Sequence, residues 1–253
     1  MGPLLTLSGV APAIFLMWLV SRFDAKRPEP AAALRKVAVW GGLSTIPAVM
    51  VEVVLSAMAP QQPVAHALYS AFIVAALTEE CCKALVMYFV IWRHPAFDER
   101  LDGIVYATRA GLGFALVENV MYLTQTHSTG GFLGVFILRA VLAVPSHAIY
   151  AGFMGYWAAR RRFDGVGPGL LGGLAIAIAL HGAYDGAVFL AVEAQNEVGV
   201  AVLPLLFVPL VVVIWGYRRL RRHADDALRL DDAAHARAES ALRLPLGMGF
   251  LLR

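Results

Sequence analysis

Residues 75–86 read AALTEECCKALV and set two adjacent carboxylates, Glu79 and Glu80, and one ammonium, Lys83, in the middle of an apolar run from Ala67 to Trp92. The run is 26 residues long, where about 20 suffice to cross the hydrocarbon of a bilayer. Each ionisable group at that depth costs roughly 2.5–3.5 kcal/mol, so three within five positions need a reason. Lys83 follows Glu79 by four residues and Glu80 by three, which on a helix puts it within reach of either. An ion pair that only holds helices together would leave one of the doubled carboxylates unpaired by Lys83. A reaction or transport centre near the membrane midplane has a use for both.

More ionisable groups stand in later apolar segments. The fourth carries Arg109, Glu118 and Asn119, the fifth Arg139 and His147, the sixth His181 and Asp185. At about 1.5 Å rise per residue, Glu79, His147 and His181 lie about 16–22 Å below the outer ends of their segments and share a layer. Glu118, Arg139 and Asp185 lie about 9–11 Å down, in a shallower one. Arg139 is thus a salt-bridge partner for Glu118 or Asp185. Asp185, one turn after His181, is placed to accept the imidazole N–H and fix its tautomer. Pro145, two residues before His147, loosens the helix there. Glu52 reads as a mouth or interface residue; His66, His94 and His127 fall in links.

Two kinds of hydrolysis use such a set. A buried Glu can act as general base on water, with a histidine or Asn119 stabilising the oxyanion. Alternatively, Glu and His ligands hold Zn²⁺, which activates the water. Spacing does not separate the two. There is no H-E-x-x-H and no G-x-S-x-G, and Ser146 and His147 point about 100° apart on a helix. Buried Glu, His and Lys also mark ion paths, so a proton- or ion-coupled transporter is the alternative, although the internal repeats usual in transporters are not visible.

The elements that must position these groups follow from composition. Of 253 residues, 59% are hydrophobic and only 15% charged, with mean hydropathy +0.67, against roughly 25% charged in soluble domains. This predicts an all-α, polytopic transmembrane helical bundle of about seven to eight spans. Seven apolar segments are read: 3–20, 37–59, 67–92, 103–124, 132–158, 169–192 and 199–217. The first lacks a basic lead and is read as an uncleaved span. Lys and Arg crowd the links after the first, third, fifth and seventh segments, while the links 60–66, 125–131 and 193–198 have none. That alternation predicts the N-terminus outside and the C-terminus in the cytoplasm, in a multi-pass protein of the cell membrane. Residues 1–217 form the membrane domain, with a catalytic core over about 67–192. Residues 218–253 form a basic amphipathic tail, a surface helix either solvated or lying on anionic lipid, with a frayed end from Leu246 to Arg253. Cys81 and Cys82 imply no disulfide. Gly103, Gly111 and Gly113 let the fourth helix approach a neighbour closely.

Read in order, Glu79-Glu80-x-x-Lys83, Phe114-x-x-x-Glu118-Asn119, His147 and His181-x-x-x-Asp185 resemble the successive motifs of the PrsW-type intramembrane proteases. Asp24 and Pro28-Glu29-Pro30, Asp102-Gly103 and Gly113-Phe114 resemble further signatures of that family. The resemblance covers about residues 10–190. The family is distantly similar to the CAAX-prenyl-protease and bacteriocin-processing enzymes, from which this chain departs in carrying Glu118-Asn119 where they carry His. The resemblance implies a glutamate-type or metallo-type intramembrane peptidase that cleaves a single-span membrane protein, with an anti-sigma factor as the named substrate class. Its partners would be that substrate and the lipid bilayer, and no nucleic acid. Carried over, Glu79 and Glu80 supply the base or first ligand, and His147 and His181 complete the centre beside Glu118. Asn119 becomes an oxyanion donor, while Lys83, Arg139 and Asp185 are pairing groups. A Zn²⁺ ion, if used, would sit on Glu80, Glu118, His147 and His181.

Overall fold

A computed structural model describes residues 7–193 and 199–243. Among these, the chain is helical throughout, in seven stretches: α1 (Ser8–Ser21), α2 (Ala31–Ser56), α3 (63–91), α4 (Arg100–Thr124), α5 (Thr129–Asp164), α6 (Gly169–Glu193) and α7 (Val208–Arg243), the last entered through a 3-10 stretch, Gly199–Phe207. Four of them, α2, α5, α6 and α7 with its 3-10 lead, are long and apolar enough to cross a membrane by length and composition. The expected frayed end (Leu246–Arg253), the first residues of the first apolar segment and most of the 193–198 link lie outside the described residues. No described cysteine is bridged.

Local chemistry sets the helix starts. At α3 the Gln62 side chain accepts from the backbone N–H of Ala65, with Pro63 in the first turn. Glu99 and Asp102 form a reciprocal capping box at α4. Ser128 caps α5 through the N–H of Gly131, and α5 ends on left-handed Gly165, φ +70°.

Helix α4 runs through the middle, between α5 and α2, and small residues let it approach both. A Cβ on Gly155 of α5 would stand 1.9 Å from the carbonyl oxygen of Gly103, and one on Gly113 would stand 2.1 Å from that of Ala38. The backbones therefore touch where side chains normally intervene. The outer faces carry exposed Phe15, Trp18, Trp40, Val53, Phe89 and Leu171, an apolar girdle suited to lipid.

One end of the bundle is charged and cross-linked. Arg100 bridges Asp164 at 2.6 Å and Asp231 at 2.9 Å; Arg160 holds Asp226 at 2.6 Å; Arg27 holds Glu99 at 2.5 Å and Asp232 at 2.9 Å. The basic links therefore share one end, and α7 closes over it. That helix does not break at residue 217. It continues to Arg243 with Ala224, Ala227 and Asp231 buried, and His223 stacks on Tyr156 with ring centroids 4.0 Å apart. The expectation of a tail lying on lipid or in solvent differs from this docking, which is driven by buried alanines and paired aspartates.

Candidate active site

Two wide-turn π segments precede the chemistry-bearing residues. In α3, Ser70–Leu77 is π-helical before Thr78–Val86; in α5, Arg139–Ala143 is π-helical before Val144. Pro145 explains the second: it has no N–H to return to the preceding turn, so the ladder widens. Such segments rotate all that follows and help to aim Glu79, Glu80 and His147. Close helix contacts finish the positioning. A Cβ on Gly111 would stand 2.7 Å from the His147 carbonyl oxygen, and one on Gly182 would stand 2.2 Å from the Phe72 ring.

The side chains meet in one buried network. Lys83 Nζ lies 3.1 Å from Glu79, 2.7 Å from Glu80 and 2.8 Å from His147 Nδ1. The ammonium thus serves both carboxylates, where the sequence alone suggested that one would be left over. His147 Nε2 is 2.8 Å from Glu118, which Arg139 meets at 2.9 Å. His181 stands between two acids, with Nδ1 2.9 Å from Glu80 and Nε2 3.1 Å from Asp185. The two expected layers are therefore one connected set, because Glu118 reaches down to His147 and Asp185 packs along its own helix to His181. Glu80 and Lys83 are fully buried, and Glu79, His147 and His181 nearly so.

A cavity of about 480 Å³ opens onto this network, lined among others by Glu79, Glu118, Arg139, His147, Tyr150 and His181. Glu79 also lines an adjoining cavity of about 370 Å³ that carries Glu118, Glu52, Ser56 and Gln125. Glu52 is thus at a mouth, beside the end of the bundle opposite the charged cap. Glu80 lines neither cavity: it supports the network from behind.

Asn119 differs from its expected role as oxyanion donor. Its amide is fully buried, donating to the Gly9 carbonyl at 2.6 Å and accepting from Arg139 Nε at 2.7 Å. It therefore aims Arg139 and faces neither cavity. Arg109 is likewise structural, bonding Met17 and Ser21 of α1. Sequence reasoning passed over Tyr150, three residues after His147. It stacks on His181 at 5.0 Å, and its hydroxyl is buried with no hydrogen-bond partner. Spacing held one signal for it, since a residue at i+3 from His147 shares that helix face.

The donor types suit zinc, being carboxylates and imidazoles. Glu79, Glu80 and His181 bring one ligand atom each within 4.8 Å of one another, as do Glu79, Glu118 and His147. The two groups share Glu79, so the set Glu80, Glu118, His147 and His181 is divided between them. Glu80 Oε2 is buried without a hydrogen-bond partner, the kind of oxygen a cation takes up. By these observations the residues fit a zinc ion, and Lys83 places a positive charge beside them.

Residues 29–214 match a family model described as PrsW family intramembrane metalloprotease. A protein named Protease PrsW from Oceanobacillus iheyensis is 31% identical over 225 residues, covering 87% of this chain and 96% of its own length. One from Clostridioides difficile is 29% identical over 215 residues, 83% of this chain and 87% of its own. One from Geobacillus kaustophilus is 35% identical over 156 residues, 62% of this chain and 66% of its own. No solved structure matches.

Proposed function

As the chain belongs to the PrsW family of intramembrane proteases, we propose that it hydrolyses a peptide bond of a membrane-anchored protein, with Glu79 as the base. The observation that carries this reading is the single cavity onto which Glu79, Glu118, Arg139, His147, Tyr150 and His181 converge. Of the two acidic neighbours, Glu79 reaches it. Family membership sets aside the transporter alternative.

In this reaction Glu79 takes a proton from water while the water oxygen attacks the carbonyl carbon. The Tyr150 hydroxyl, which has no other partner, donates to the developing oxyanion beside Arg139. As the C–N bond breaks, Glu79 returns the proton to the leaving amine. Lys83 orients Glu79, Asn119 orients Arg139, and His147 and His181 brace the surrounding acids. A zinc ion held by Glu79 or Glu80 with Glu118, His147 and His181 would polarise the carbonyl and make a bound water more acidic.

The substrate we propose is a single-span membrane protein, of the anti-sigma type that the resemblance names. The arrangement in the cell membrane is multi-pass, about seven spans, with the N-terminus outside and the C-terminus in the cytoplasm. The clustering of the basic links at one end supports this orientation. Water would then enter from the outer face, past Gln125, Ser56 and Glu52.

The test is detergent-purified protein with a single-span reporter substrate, comparing wild type with Glu79→Gln, Glu80→Gln, His147→Ala and His181→Ala, with and without chelator and added zinc. Cleavage lost with Glu79→Gln supports the assignment. Cleavage that survives all four substitutions overturns it. Loss on chelation, restored by zinc, assigns the metallo type; activity kept in chelator assigns the glutamate type.

A further inference from the structure

At the charged end of the bundle, away from the active-site cavity, three carboxylates from two parts of the chain face one another. Asp24 and Glu29 belong to the link between α1 and α2, and Asp102 to the first turn of α4; one oxygen of each lies within 4.8 Å of the others. Asp24 is 3% exposed and Asp102 fully buried. Among the described residues none of the three makes an ion pair. The nearby guanidinium of Arg27 pairs with Glu99 and Asp232 through Nε and Nη1, leaving Nη2 buried without a hydrogen-bond partner, and His235 pairs with Glu99.

The hydrogen bonds present leave oxygens over. Asp102 Oδ2 accepts from the backbone N–H groups of Asp98 at 2.9 Å and Glu99 at 2.6 Å. The Tyr106 hydroxyl donates to Glu29. Asp24 Oδ2 and Asp102 Oδ1 are buried without an N–H or hydroxyl donor, and the carboxyls of Asp102 and Glu29 meet directly. Three like charges out of water are not stable without compensation. Protons shared between carboxyls satisfy oxygens in pairs, whereas a cation satisfies all three at once. Pro28 and Pro30 flank Glu29 and limit its backbone, while the Tyr106 hydroxyl holds its carboxylate.

We infer that Asp24, Glu29 and Asp102 form a binding site for a hard divalent cation of the Mg²⁺ or Ca²⁺ class. All-oxygen, carboxylate-rich sets select such ions over zinc. The ion would pin the α1–α2 link to the start of α4 and replace the missing positive charge. It is a structural site, separate from the chemistry of Glu79.

The experiment uses the full chain in detergent, first stripped with EDTA. Mg²⁺ or Ca²⁺ at 100 times its dissociation constant should raise the thermal midpoint by roughly 5 °C or more. Tb³⁺, a Ca²⁺ stand-in, should give emission on excitation at the tyrosine band, with Tyr106 as the adjacent sensitiser, and Ca²⁺ should compete it away. The emission should persist in Glu79→Gln, which alters the active site and both of its ligand groups, and disappear in Asp24→Asn and Glu29→Gln. Wild type that shows neither a thermal shift nor emission overturns the proposal, as does emission that both link variants retain. Should a link variant be recovered misfolded, the wild-type and Glu79→Gln arms decide alone.

Discussion

Lys83 Nζ lies 2.8 Å from Nδ1 of His147. An ammonium has only donors, so Nδ1 must be the bare nitrogen of the ring, and the proton sits on Nε2, which donates to Glu118 at 2.8 Å. One side chain of α3 thereby sets the tautomer of a histidine on α5 and, through it, the position of a carboxylate on α4. Lys83→Met removes the donor and frees the ring to flip. Cleavage should fall at least about 10²-fold, the lower range for misplaced acid–base groups. Nitrogen-15 NMR of labelled histidine should show the Nε2–H tautomer of His147 in wild type and a mixture in the variant.

Glu79 and Glu80 should separate by stability. Glu79 lines the cavity and makes the longer of the two Lys83 contacts, 3.1 Å against 2.7 Å, so Glu79→Gln should lower cleavage by about 10²–10⁴ and lower the thermal midpoint less than Glu80→Gln does. Glu80 is fully buried inside the network, holding Lys83 and His181 on one oxygen. Breaking a buried pair costs about 3–5 kcal/mol, so Glu80→Gln should lose activity and stability together. Calorimetry beside the cleavage assay checks both, and an unchanged midpoint in Glu80→Gln would contradict its supporting role.

Tyr150→Phe keeps the ring that stacks on His181 and removes only the hydroxyl. The expected result is a kcat lower by about 10²–10³ with KM unchanged, the signature of a donor used in the transition state. A change confined to KM would place the hydroxyl in substrate binding instead.

Acid should loosen the docked end of α7. Burial, with Arg219 beside it, holds the His223 imidazole down from 6.5 to about 4. Arg160 acts in the same direction and Asp226 opposes it, while the rings of Phe153, Tyr156 and Trp157 surround it. The folded state therefore binds fewer protons than the unfolded one. This contribution is complete above pH 6.5 and is lost as pH falls from 6.5 towards 4. Thermal midpoints measured across that window should decline, and His223→Phe should flatten the slope.

Gly111→Val should force α4 away from α5, because its side chain would meet the carbonyl oxygen of His147. A stability loss of about 1–3 kcal/mol is expected, and cleavage should fall further as the Glu118–His147 contact opens. Parallel melting and cleavage curves test this.

Much of this protein is legible in the sequence because helical periodicity is local. A rise and turn repeated every 3.6 residues put Lys83 beside both preceding carboxylates and Asp185 beside His181. The hydrocarbon thickness marks out the apolar segments in the same way, and the basic links foretell which ends share a face. What one helix shows another depends on tilt, rotation and the π segments before Thr78 and Val144, and these arise from packing across the bundle. Only the tertiary structure therefore decided that Glu118 would meet His147, that Asn119 would turn to Gly9 and Arg139, and that Tyr150 would face the cavity. It also brought Asp24 and Glu29 to Asp102 and laid α7 across the charged end. Contacts between distant segments follow no spacing rule, since they depend on which small residues allow two backbones to close.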